Sequence, residues 1–371
     1  MKHYIFAGLF TMIGFSSLGQ DKEPWIAFHN KDTTLIGFKD SKNTVKIEPK
    51  FTGFIIANKF DGIIGVSEPV NEKKWLNYYL TKSGRIVGRD SLLIYDNSVD
   101  CESEGFIRFR DKKTDKIGMF NSDGDIVIPA DYNALTSVRN GMVIGLQGAK
   151  KSESGKESGD YHFSWIGGKE VLIDTRNRVL VDDFKDEGKL NFFSLLVSDK
   201  PNGDPVRQNF KTTQGKYYSF IDFGREFDTW LKTSLLGNFT KERLLEATYK
   251  ELTFWKEPPL WKEEDGWKTE DKHSFINRNF ELIKAKLLKL NHPDCKYQVF
   301  DDGLNNYIFE SEEYRRFFDN CGAAKEWIYP LKNIVISYKK GKDLVQDHFS
   351  FLRTEDGYKL ISISLGAGAL K

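Results

Sequence analysis

This sequence lacks the signatures of the common enzyme chemistries. Past its first residues there is no G-x-S-x-G, and nowhere an H-E-x-x-H, a P-loop or a G-x-G-x-x-G ahead of a helix. Serine hydrolases, zincins and nucleotide-binding enzymes therefore have no local anchor. Histidine is scarce, with six scattered residues, and none can be assigned as partner to a serine. An excess of one charge is also missing. The 55 basic residues face 54 acidic ones, for a net charge of +1, which leaves no electrostatic case for nucleic acid or anionic membrane. Past the N-terminus no apolar run approaches the about 20 residues that span a bilayer. There are only three cysteines, Cys101, Cys295 and Cys321. An oxidising compartment would allow a Cys295–Cys321 bridge, since both lie in the C-terminal segment. The alternative is that all three are small buried residues.

The N-terminus is informative. Lys2 and His3 give a positive start, Tyr4 to Phe15 is apolar, and Ser17 and Gly19 are small where a signal peptidase reads. A signal peptide over 1–19 is expected, with the mature protein exported to a periplasmic or extracellular space. No cysteine follows the apolar run, so lipid attachment there is not expected. The remaining length of about 350 residues suggests two domains or an elongated array. Aromatics are abundant at 14%, and most must pack cores or form platforms.

Ile117 to Val143 organises the first half. Ile117-Gly118-Met119-Phe120 precedes the polar turn Asn121 to Gly124. Ile126-Val127-Ile128 meets Pro129, and Asn140-Gly141 opens another apolar segment. The same order appears from Leu35 to Val66. Gly37 and Gly118 are 81 residues apart, Pro49 and Pro129 80, and Gly62 and Gly141 79. Eroded copies fit between and after them. One runs through Tyr78-Tyr79-Leu80, Ser83-Gly84 and Glu104-Gly105, the other through Trp165-Ile166, Val171-Leu172-Ile173 and Val179 to Val181. The period is then about 40, in the range of stacked repeat units. Pro49 and Pro129 read as strand stops, and Gly148 to Asp160 as a polar surface excursion.

These residues resemble WG repeats, short β-rich units of exported bacterial proteins. The matching sets are Gly37-Phe38, Val45, Ile47, Pro49, Phe51 and Asp61-Gly62, then Gly118-Met119, Ile126, Ile128, Pro129, Tyr132 and Asn140-Gly141. The resemblance covers Asp32 to Asp183. The Trp-Gly pair itself is replaced by Ile36-Gly37 and Ile117-Gly118. The resemblance implies no catalytic residues.

After a transitional stretch the composition changes. Helices are expected over Arg225 to Leu236, Lys241 to Trp255 with Thr240 as N-cap, and Asp271 to Leu290. Strands follow at Tyr297 to Phe300, Tyr307 to Phe309 and Ile334 to Tyr338. His348 to Arg353 and Tyr358 to Ser364 form a hairpin across Glu355-Asp356-Gly357. That order predicts an α+β domain with helices on a curved antiparallel sheet. The closing hairpin resembles that of NTF2-like domains, which hold binders and enzymes alike. The expected organisation is a signal peptide at 1–19, a mainly β repeat domain of short antiparallel hairpins at 20–215, and an α+β domain at 216–371.

Candidate sites are few. Asn121, Asp123 and Asp125 alternate like calcium-loop ligands. The glycine and glutamate such a loop needs are replaced by Ile126 and Tyr132, so a turn is the better reading. His292 and Cys295 have a metal-like spacing but no second pair, and His273 is solitary. No metal or other cofactor is expected. Glu263-Glu264-Asp265, between Trp261 and Trp267, reads as a solvated loop. Trp255, Trp261 and Trp267 are the candidate ligand platform, with core packing as the competing role. The sequence points to a non-catalytic binding or scaffolding protein contacting a protein or glycan through its β surface. The alternatives are a glycan-active or other hydrolytic enzyme with its site in the C-terminal cone, and a structural envelope protein without ligand.

Overall fold

In a computed structural model the described residues are 23–52, 57–95, 98–152, 164–186, 188–256, 266–366 and 370. The expected signal peptide, Trp261, Glu263-Glu264-Asp265 and most of the polar excursion lie outside them. The chain is rich in strands arranged as many small antiparallel sheets.

The first half is built from short strands joined by one recurring turn. Four sheets of this half each contain a three-stranded meander among the described residues. The first meander is Trp25–His29, Leu35–Lys39 and Val45–Thr52. The second is Ile63–Asn71, Lys74–Thr81 and Ile86–Val87. The third is Phe106–Asp111, Lys116–Asn121 and Ile126–Tyr132. The fourth is Met142–Gln147, Lys169–Asp174 and Val179–Val181. In each, a side-chain oxygen at the end of the middle strand accepts the backbone N–H four residues on. The pairs are Asp40 with Thr44, Thr81 with Arg85, Asn121 with Asp125 and Asp174 with Arg178, at 2.8–3.1 Å. The residue before each donor has positive φ: Asn43, Gly84, Gly124 and Asn177. Asn and Gly tolerate that conformation, and Asp, Asn and Thr supply the acceptor.

The same backbone turn closes a fifth sheet at Thr212 to Lys216, with Gly215 at positive φ. That sheet joins Leu190–Ser198, Arg207–Lys211 and Tyr217–Asp222, with the last strand in the middle. The transitional stretch, where Leu190 to Val197 and Tyr217 to Phe223 read as strands in the sequence, thus holds those two strands and a third between them in sequence, Arg207–Lys211.

Glycine and proline act together in the first and third sheets. A bulge brings the third strand close to the middle one. An added Cβ would lie 2.5 Å from the Ile47 oxygen at Gly37, and 2.7 Å from the Ile128 oxygen at Gly118. Pro49 and Pro129 do not stop their strands, as the sequence suggested, but sit inside Val45–Thr52 and Ile126–Tyr132. Both strands are sheet edges, where a missing N–H costs no ladder bond and the proline blocks further pairing.

Alternate side chains of each strand bury against different neighbours, so successive sheets share cores. Phe38 and Phe51 pack with Ile64 and Tyr78. Ile63 and Tyr79 pack with Phe109 and Phe120. Met119 and Ile128 pack with Val143 and Ile173. Met142 and Leu172 pack with Phe192 and Phe220.

The second half centres on a six-stranded sheet. Its order is Trp267–Asp271, Thr248–Trp255, Gly357–Leu365, Asp343–Thr354, Leu331–Lys340 and Tyr297–Asp302. Helix α1 (Phe223–Trp230), a π-helical turn at Leu231–Leu236, α2 (Lys241–Glu246) and α3 (Lys272–Leu287) contribute to one core with it. The expected closing hairpin is present, and Thr240 caps α2 by accepting from the Arg243 N–H.

Two expectations fail here. The helix expected to reach Trp255 ends at Glu246, and Thr248–Trp255 is a strand parallel to Gly357–Leu365, so the sheet is not wholly antiparallel. Thr248, Tyr249, Thr253 and Phe254 suit a pleated, buried strand. Their sheet pairing overrides the helical spacing of Leu244, Leu245, Thr248 and Leu252. Tyr307 to Phe309 is a turn, with Phe309 tucked into the loop core beside Tyr314 and Phe317.

Candidate functional site

Of the three candidate platform indoles, Trp255 and Trp267 are among the described residues. Trp255 and Trp267 face each other across two strands, with ring centroids 5.4 Å apart in an edge-on arrangement. Trp255 is 39% exposed, and an added Cβ at Gly266 would lie 2.8 Å from its ring. This T-shaped contact satisfies the rings mutually rather than aligning them as one flat surface.

The cysteine pairing differs from the expected one. The bridge joins Cys101 to Cys321, with Cα atoms 6.2 Å apart, and Cys295 is a free thiol half-buried beside the helical core. Segment 319–323 folds away from Cys295 and onto the first half. The Asn58 and Lys59 N–H groups donate to the Asn320 oxygen, and the Asn320 amide donates to Asp61. Cys101, Asp319 and Cys321 are also the sole cluster of metal-type ligands among the described residues, and its two sulfurs form the bridge. His292 pairs with Asp294 at 3.6 Å. Asn121 uses its side chain on the N–H groups of Asp123 and Asp125, while Asp125 pairs with Arg85.

Two half-buried acids flank the bridge. Glu102 accepts from the N–H groups of Gly62 and Ile63 at 2.9 and 3.0 Å. Burial nevertheless pushes its carboxyl up to about 7, and burial likewise raises Asp319. An acid raised in the folded state stabilises fully below its unfolded value of 4.5, and that stability is lost as pH rises through about 7. Glu102→Gln keeps an acceptor for both N–H groups but cannot ionise. The variant is expected to lose less stability than the wild type between pH 4.5 and 7. Denaturant midpoints across that range check this, and parallel curves for the two proteins would refute it.

Between the helices and the six-stranded sheet the space is filled by apolar side chains, among them Phe227, Leu244, Phe275, Ile334, Phe349 and Leu360. Two sets of ionisable groups beside it are engaged with one another. The Lys286 ammonium donates to Asp347 at 2.7 Å and to the Tyr338 hydroxyl at 3.0 Å, and these partners outweigh burial to raise its pKa. Arg353 forks onto Glu226, which also accepts from Tyr358. A separate cleft of about 580 Å³ beside Tyr249 is polar, with Lys250 and Arg316 facing Glu313 and Asp356.

The larger concavity lies between the second and third meanders. It is an open groove of about 910 Å³. Val87, Phe109, Phe120 and Pro129 form its apolar floor, and Ile126 stands at its lip, 59% exposed. Five cations line the rim, Arg85, Arg89, Arg110, Lys112 and Lys113, against the carboxylates Asp90, Asp111 and Asp125. The recurring turn builds it. Arg85 and Asp125 hold the same position in the turns of the second and third meanders and meet at 2.6 Å across the junction. Behind it, the buried Tyr79 hydroxyl donates to the Arg108 oxygen at 2.7 Å and accepts from the Leu93 N–H at 2.9 Å. Arg108 is ion-paired with Asp100. The floor is therefore fixed by a satisfied polar network. Asp125, Ile126 and Pro129 stood out in the sequence as turn and strand residues, not as parts of a ligand site; aligning the strand patterns about 40 residues apart puts Arg85 and Asp125 at matching positions.

No family model, curated protein or solved structure matches the chain.

Proposed function

We propose that this is an exported, non-catalytic binding or scaffolding protein. In this reading the meanders are WG-like repeat units forming a stacked β domain over 20–215. The α+β domain over 216–371 is clamped to them, and the groove between the second and third units receives a protein or glycan ligand. The groove carries the proposal: a large apolar-floored concavity with convergent polar groups is the default place for a ligand. Export to a periplasmic or extracellular space is supported by the signal-like N-terminus and the Cys101–Cys321 bridge, since such bridges persist in oxidising compartments. The alternative of a hydrolase in a C-terminal cone draws less support, because apolar side chains occupy that interior.

An array of peptides and glycans probed with the purified protein tests the proposal. Ile126→Asp alters an exposed side chain and should leave the fold intact. It is expected to weaken any ligand retained by the wild type about tenfold or more, because it removes an apolar contact at the lip and puts a carboxylate there. Trp255→Ala is expected to leave binding unchanged. If Trp255→Ala abolishes binding and Ile126→Asp does not, the ligand sits at the indole pair and the proposal fails.

A further inference from the structure

We propose that the occupant of this groove is an extended acidic peptide whose aliphatic side chains alternate with carboxylates. The proposal rests on the reading of the groove as a ligand site and names the ligand's chemistry.

Three observations select it. The first is charge. Five cations against three carboxylates leave the rim two positive charges in excess. The cations are not equally committed. Arg85 is held by Asp125 and Arg110 by Asp115. Lys112 and Lys113 are exposed in the turn between Phe106–Asp111 and Lys116–Asn121, and form no ion pair with any described residue. Arg89 lies over the Tyr78 ring, 5.9 Å from its centroid, also without an ion pair to a described residue. These three cations can take up carboxylates without first breaking a described ion pair. On a chain otherwise close to neutral, such a local excess steers an anionic partner.

The second is the floor. Val87, Pro129 and Ile126 offer aliphatic surface, which suits leucine-like or valine-like side chains. Its aromatic rings do not offer their faces. Phe109 and Phe120 stack on each other with centroids 4.3 Å apart and are 7% and 4% exposed. A sugar gains most by lying on an open aromatic face, and none is presented here. The floor thus favours a peptide over an anionic glycan.

The third is the edge. Ile126–Tyr132 is the outer strand of its sheet and could in principle accept another strand. Pro129 interrupts it and removes a donor. A guest along this edge cannot form a continuous ladder, so recognition must come through side chains. A peptide alternating in charge and aliphatic character places both kinds where the rim and floor can meet them.

Fluorescence anisotropy with three labelled probes tests this: a peptide alternating glutamate and leucine, its lysine and leucine counterpart, and a polyuronate. The full chain with its disulfide intact is used at low ionic strength. The glutamate peptide is expected to bind at least about tenfold more tightly than the lysine peptide, and to weaken as salt screens the rim. The double variant Lys112→Glu with Lys113→Glu, in an exposed turn, is expected to lose about tenfold or more while keeping the wild-type circular dichroism. Ile126→Asp should weaken the same peptide. Equal affinity for both peptides, or binding untouched by either variant, overturns the proposal. Binding of the polyuronate alone, lost in the same variants, overturns the peptide as occupant but leaves the groove as the ligand site. If none of the three probes binds, the proposed ligand chemistry falls, and the array then decides whether any ligand reaches the groove.

Discussion

Replacing Cys101 and Cys321 together by alanine is expected to lower the unfolding free energy by up to about 5 kcal/mol, by the chain-entropy relation for a bridge closing a very long loop. The bridged residues are separated by 220 positions, and the cost of closing a loop grows with the logarithm of its length. The bridge ties the segment after the second meander to a loop of the second half. Its loss removes the constraint from the unfolded chain, while the hydrogen bonds of Asn320 with Asn58, Lys59 and Asp61 and the Arg139 guanidinium over the Trp327 ring remain. Guanidinium unfolding of wild type and double variant measures the effect, and reductant should move the wild type toward the variant. Cys295→Ala serves as the control, because that thiol is unbridged. If Cys295→Ala costs more than the double variant, the Cys101–Cys321 pairing is wrong.

Gly118→Ala should also cost much, about 2–3 kcal/mol, as overpacking a closely packed site does. Its φ is not the cause, since Gly118 is not among the positive-φ glycines. The cause is approach: the new methyl would sit 2.6 Å from the Phe109 ring and 2.7 Å from the Ile128 oxygen. The ring stacks on Phe120, and the oxygen belongs to the bulged backbone before Pro129, so neither can yield cheaply. Gly203→Ala, where a Cβ meets nothing within 4 Å, is the matched control and should be near neutral. Thermal or urea midpoints compare the two, and similar small losses would remove close packing as the reason for glycine at 118.

The recurrence of these glycines was legible in the sequence, because one local device repeats. Turn acceptors, left-handed Asn or Gly, and alternating apolar residues each leave a short-range mark. The prolines were misread for a related reason. A proline stops a central strand but is accommodated at a bulged edge, and edge or centre is a property of the whole sheet. Thr248–Trp255 was misread because its apolar residues fit a helical step, while pairing with Gly357–Leu365, about a hundred residues away, decides the outcome. The bridge was illegible because Cys295 and Cys321 are near in sequence whereas Cys101 and Cys321 are near in space. The groove escaped because its two walls come from different meanders, and only their packing sets Arg89 and Lys112 around one floor.

The proposed function requires that groove to be the occupied surface. Hydrogen–deuterium exchange with and without a ligand retained from the peptide and glycan array tests it directly. The expected result is added protection confined to 85–91, 109–113 and 124–130, with no change at Trp255 and Trp267 or around Tyr249. Protection at the indole pair or in the polar cleft, with the groove unchanged, would contradict it.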